Sequence, residues 1–179
     1  NLPEEAKENI SSLIFDTMGI YWTMKYKNEK DRDLLSEWDL KSKNLPVKVF
    51  VPYGHFDEYV QKGNPVDEKF ALDVSEMNAE DWILTFELDF IHPISVLIER
   101  TITKLKEAGG FNIEDIIKEI GRDISTEKET KNAAIGLFEA VKTWGIFSDS
   151  DSEKTKIEEL ISAGTTTVLD LSVYNSVGT

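Results

Sequence analysis

Cysteine is absent from this chain of 179 residues, which excludes disulfides, thiol nucleophiles and thiolate metal ligands. That absence suits a reducing compartment, so a cytoplasmic location is the expectation. Histidine occurs only at His55 and His92, far apart and without ligand-spaced partners, so a zinc site would have to be built from acids. No apolar run approaches the roughly 18 residues that a membrane span needs, and no basic-then-apolar leader is seen. Positive charge is also scarce: 20 Lys+Arg face 34 Asp+Glu, a formal net charge of −14. Affinity for nucleic acid comes largely from neutralising phosphates, so direct DNA binding by the whole chain is disfavoured. A locally basic loop escapes that argument. Finally, no G-x-x-x-x-G-K-[ST] segment occurs anywhere. The loop whose amides cradle phosphates and whose lysine reaches the β/γ-phosphates is therefore missing.

What is present is material for a core. Apolar residues make up 40% of the chain, 18 aromatics among them. A fold of this size buries roughly 70% of its unfolded surface. One domain, or one domain carrying an insertion, is expected. The chain opens on Asn1 and stops at Thr179 just after a strand-like run, so it is expected to be a piece of a longer protein; a complete, processed protein is the alternative.

Pro3-Glu4-Glu5 reads as a helix start, with acids at the positive end of the dipole. Ser12–Asp16 is a short apolar run ending in an acid, the pattern of a buried parallel strand. Lys25 to Lys43 is mixed and charged, a loop with room for one short helix. Val47–Val51 is a second strand, closed by Pro52, and Phe70–Val74 a third. Asn78 with Asp81 caps a short helix. After Pro93 the period changes to helical, with Ile94, Leu97, Ile98, Ile102 and Leu105 in one stripe stopped by Gly109-Gly110. Asn112 with Asp115 caps the next helix, and Thr126 with Glu129 caps another whose stripe includes Ala134, Phe138 and Val141. Ile157, Leu160 and Ile161 form a last helix ending at Gly164, and residues 165–172 a final strand. The expected class is α/β, a parallel or mixed sheet interrupted by an all-helical insertion. The boundaries are 1–90 for the sheet portion, 91–164 for the insertion and 165–179 for the returning strand.

Two segments carry a resemblance. Leu13-Ile14-Phe15-Asp16-Thr17-Met18-Gly19-Ile20-Tyr21-Trp22 resembles the strand and "D-P-x-G-E-Y" element that follows the P-loop helix in HerA-like ATPases. Ile157 to Ser172, with Ala163-Gly164-Thr165-Thr166-Thr167-Val168-Leu169-Asp170-Leu171-Ser172, is similar to the "I-x-x-L-x-x-P-G-x-V-T-V-I-D-L-S" strand before the Walker B strand of the same proteins. Thr17, Ile20 and Ala163 depart from the pattern, standing where the family has Pro, Glu and Pro. The resemblance implies an internal piece of a RecA-type ATPase of the HerA/FtsK superfamily, lying between the P-loop and the Walker B strand. It implies ATP and Mg²⁺ for the intact parent and none for this chain. It further implies a hexameric ring acting on double-stranded DNA, often alongside a nuclease, with no membrane. Asp16 would lie near the nucleotide in that parent.

Each candidate residue also has a plain structural reading. Asp16 sits where open α/β sheets place ligands, yet a strand-end Asp often just caps a turn. Asp170 ends an apolar run without the following Glu that holds magnesium and orients water, so a structural role is preferred. Trp22, Lys25, Tyr26, Lys27, Lys30 and Arg32 interleave aromatics with cations as strand-binding loops do, but Glu29, Asp31 and Asp33 dilute them into a solvated loop. Residues 149–160 imitate a calcium loop but place Lys154 and Leu160 where Gly and Glu are required. A carboxylate–metal hydrolase would need Asp16, Asp73 and Asp170 to converge. Trp38, Trp82 and Trp144 are expected in the core. Two functions follow: a piece of an ATP-driven DNA translocase that does not itself hydrolyse nucleotide, or a non-catalytic acidic interaction module. For the isolated chain, uncovered strand edges imply a dimer.

Overall fold

The computed structural model describes residues 8–148 and 153–175. The helix expected from Pro3 and the acids Asp149 and Asp151 of the calcium-like loop lie outside them. The fold is α/β, and the chain divides into two compact units, Asn1–Phe70 with Thr155–Thr179, and Ala71–Lys154.

The first unit holds β1 (Ser12–Asp16), β2 (Val47–Pro52), β3 (Glu68–Phe70) and β4 (Thr166–Asp170), all parallel, in the order β1-β4-β2-β3. The last strand in sequence thus lies between the first two. Val49 and Val168 pair in register and, with Val47, form a buried apolar cluster against which Ile14, Trp22 and Met24 pack. Continuous β-branched runs suit this arrangement because a parallel sheet is covered on both faces. Short helices join the strands: α1 (Arg32–Glu37), α2 (Phe56–Gln61) and, before β4, α7 (Ile157–Leu160).

The expected third strand moves. It occupies Glu68–Phe70, and Leu72 keeps only one isolated parallel bridge, to Phe147. Asp73 ends the extended run by accepting the Ser75 amide at 2.9 Å and opening a 3-10 turn at Val74–Glu76. Such side-chain bonds compete with ladder pairing.

The second unit is helical: α3 (Ala79–Thr85), α4 (Pro93–Ala108), α5 (Ile113–Arg122) and α6 (Lys128–Lys142). It begins before residue 90 and ends before residue 164, because Trp82 of α3 packs with the later helices while Thr155 onward belongs with the sheet. Leu97, Ile98 and Ile102 of α4, Ile116 and Ile120 of α5, and Phe138 of α6 all lie below 3% exposure in that core. Trp82 meets Phe138 edge-on at 5.1 Å and Phe86 in a stack at 5.8 Å.

The caps follow local chemistry. Asn112 and Asp115 exchange bonds of 3.0 and 3.2 Å, and the Asn78 amide donates to Asp81 at 2.7 Å. His92 precedes Pro93 and accepts the Ile94 amide on Nδ1 at 3.3 Å. Thr126 is displaced from its expected cap: Glu127 holds that position. Asp123 accepts the Thr126 amide at 2.8 Å and Arg100 donates to its hydroxyl oxygen at 2.7 Å, which keeps Thr126 in the preceding loop. Trp38 is a second correction, for it is 75% exposed rather than in the core, whereas Trp82 is fully buried.

Candidate functional site

The carboxyl ends of β1 and β4 lie side by side, with Asp16 and Asp170 paired in register. Asp16 is 1% exposed. Its Oδ1 accepts the amides of Met18 at 3.1 Å and Gly19 at 2.9 Å, and its Oδ2 those of Ile20 and Tyr21, both at 2.8 Å. Two donors on each oxygen fill the acceptor capacity of a carboxylate. Gly19 makes the loop possible, with φ of +66°. The Trp22 indole then donates to the Gly19 carbonyl at 2.7 Å and closes the turn.

Asp170 is 2% exposed, and its Oδ1 accepts the Ser172 amide at 2.9 Å, the Ser172 hydroxyl at 2.6 Å and the Tyr59 hydroxyl at 3.1 Å. Tyr59 reaches it from α2. The two loops interlock: a Cβ placed on Gly19 would come 2.6 Å from Ser172 Oγ and 2.9 Å from its Cβ. The Asn175 amide donates to the Thr17 carbonyl at 3.1 Å, and the Leu171 amide to the Asp16 carbonyl at 2.8 Å. Burial raises the Tyr59 phenol above its ordinary value, opposed by the bond to Ser172 and reinforced by the Asp170 charge. Burial pushes Tyr174 up to about 12, with a contribution from Tyr59. His55 meets the Tyr174 ring edge-on at 5.9 Å and pairs with Glu58 at 3.4 Å.

Asp73, the third acid of the hydrolase alternative, belongs to the helical unit. Burial raises its carboxyl, but Ser75 and Lys154, the latter at 3.1 Å, outweigh that and hold it below the ordinary range. Among the described residues, no group of three or more His, Cys, Asp or Glu gathers where a metal ion could be held. From the aromatic–cation loop, Lys25 pairs with Asp67 at 2.5 Å and Trp22 packs inward, while Tyr26, Lys27, Lys30 and Arg32 are exposed.

Tyr59 and the helix that carries it were not anticipated. Its partner lies 111 positions away, and no local spacing signals such a bond. Ser172 was visible only as the end of the second motif.

Chemically, the arrangement is closed. Both carboxylates are engaged by their own loops, and Gly19 lies close against Ser172. No family model, curated protein or solved structure matches the chain. Among the described residues, no helix is long and apolar enough to cross a membrane.

Proposed function

We propose that this chain is part of the motor domain of an ATP-driven DNA translocase or helicase of the HerA/FtsK kind and does not itself hydrolyse nucleotide. One observation carries the reading. The two motif-bearing segments, near opposite ends of the sequence, are hydrogen-bonded neighbours from Ser12↔Thr166 to Asp16↔Asp170. Segments of one sheet with a helical unit between them are what the resemblance requires. The described residues do not fit ATP and Mg²⁺ by themselves. The amides after β1 point onto Asp16, no lysine stands among them, and no metal-holding cluster forms. The phosphate-binding loop and the magnesium-binding acids would belong to other parts of the parent. Asp16 then shapes the loop nearest the nucleotide, and residues 71–154 offer a contact surface within a hexameric ring on double-stranded DNA.

The engagement of both carboxylates favours a second reading, a non-catalytic acidic module that docks a basic partner. The encoding gene separates the two. The motor reading expects a phosphate-binding loop specified before Asn1 and DNA-stimulated ATP hydrolysis by the full product. It also expects the isolated chain to leave a fluorescent ATP analogue unbound. Tight nucleotide binding by the isolated chain, or a full product without that loop, overturns it.

A further inference from the structure

The segment between Lys27 and Ser42 holds a feature that neither reading uses. A surface cleft of about 320 Å³ is lined by Lys27, Arg32, Lys41, Ser36, Ser42 and Leu40, with Glu29 as its one carboxylate. Local chemistry builds it. Asn28 Oδ1 accepts the Asp31 amide at 3.2 Å in the turn between Lys27 and Arg32, and both of these line the cleft. After α1 the chain reverses at Asp39, whose φ is +54°, and the Leu40 amide bonds to the Leu35 carbonyl at 2.9 Å. That reversal returns Lys41 and Ser42 beside Ser36.

Three cations around one small cleft repel one another unless an anion lies between them. Elsewhere in the same unit, Lys25, Lys48 and Lys62 meet Asp67, Glu68 and Glu58, while Lys30, Lys43 and Lys156, like the cleft cations, show no such pair among the described residues but do not share a cleft. Lys27, Arg32 and Lys41 form no such pair among the described residues, although the chain carries 34 acids. A second observation points the same way. Ser42 lines the cleft, and its Oγ is buried with no hydrogen-bond partner among the described residues. A buried hydroxyl without a partner is unfavourable, and an acceptor oxygen from a ligand would satisfy it.

We propose that this cleft is an oxyanion site that takes a phosphate group, free or carried on a small organic ester. Arg32 supplies planar paired donors, Lys27 and Lys41 supply point charge, and Ser42 and Ser36 supply neutral donors. Leu40 gives an apolar wall for the carbon portion of an ester. The cleft volume lies at the lower end of ligand-pocket sizes, which suits one phosphate and a few carbons. The proposal stands apart from the motor reading and survives its failure.

The test is an amide-resolved NMR titration of the full chain at constant ionic strength, with inorganic phosphate in one arm and glycerol phosphate in the other. Saturable shifts confined to residues 27–32 and 36–42 are expected, with the ester binding more tightly if Leu40 contributes. Arg32→Gln and Lys41→Gln should each weaken binding about fivefold. Ser42→Ala should weaken it less, and Lys62→Gln, whose cation is already paired, should leave it unchanged. All four sites lie on or near the surface, so an unaltered remainder of the spectrum checks the fold. Shifts that do not saturate, that spread over the surface, or that persist in Arg32→Gln and Lys41→Gln overturn the proposal, as does equal weakening by Lys62→Gln.

Discussion

At the scale of single residues, the loop after β1 depends on one carboxylate and one glycine. Asp16 takes four amides, and an asparagine there would turn an N–H toward donors. Asp16→Asn is therefore expected to lower stability by about 2 kcal/mol or more in urea unfolding. Gly19 and Gly63 offer a matched pair, for both have positive φ, at +66° and +75°. A Cβ at Gly63 meets nothing within 4 Å, while one at Gly19 collides with Ser172. Gly63→Ala should cost about 1 kcal/mol from backbone strain alone. Gly19→Ala should cost about 3 kcal/mol, because displacement of the Ser172 loop adds to the strain. Equal losses in the two variants would show that the interlock contributes nothing. Asp16 was legible as a strand-end acid with a turn-capping alternative, and that alternative describes its bonds. Tyr59 was not legible, since nothing near it in sequence announces a partner on β4.

At the scale of elements, legibility followed the range of the forces. Asn112 with Asp115, Asn78 with Asp81, and His92 before Pro93 are settled within four residues, and each marks a helix start. Asn112→Ala should destabilise by about 1 kcal/mol in thermal denaturation. Thr126→Ala, at the position wrongly expected to cap α6, should stay within about 0.5 kcal/mol. Thr126 misled because Asp123, three residues earlier, claims its amide, and two overlapping cap signals leave the competition undecided in sequence. The third strand drifted for a similar reason: Phe70–Val74 has the apolar content, but Asp73 draws the backbone of Ser75 into a turn. Trp38 shows the opposite failure. Hydrophobicity placed it inside, yet α1 buries none of its own residues, so no surface exists there for the indole to join.

At the scale of the whole molecule, charge and edges govern behaviour in solution. Tyr174 has a folded value near 12 against an ordinary 10.0. A raised phenol favours the folded state fully below pH 10, and that contribution disappears as pH rises from about 10 to 12. Midpoints of urea unfolding should thus decline across this window, and Tyr174→Phe should flatten the decline. The ring is 41% exposed, so solvent moderates the effect. The two sheet edges differ. β3 is three residues long and carries Glu68 and Lys69, whereas Ile10–Phe15 bears no charge and leaves Phe15 65% exposed. Uncharged edges invite strand addition. The isolated chain is expected to dimerise through β1, giving a light-scattering mass that rises with concentration, and Phe15→Lys should hold it monomeric. A wild-type mass independent of concentration would count against this. The position of β4 has a further consequence for how the protein is made. Of these four strands β4 is translated last although it lies between β1 and β2, so β1, β2 and β3 leave the ribosome before the strand that joins β1 to the others. The core of the helical segment is contained within residues 71–154, so that segment can mature during synthesis while the sheet waits. A nascent chain stalled before Thr166 should therefore be a substrate for chaperones at its strands and resist protease in its helices.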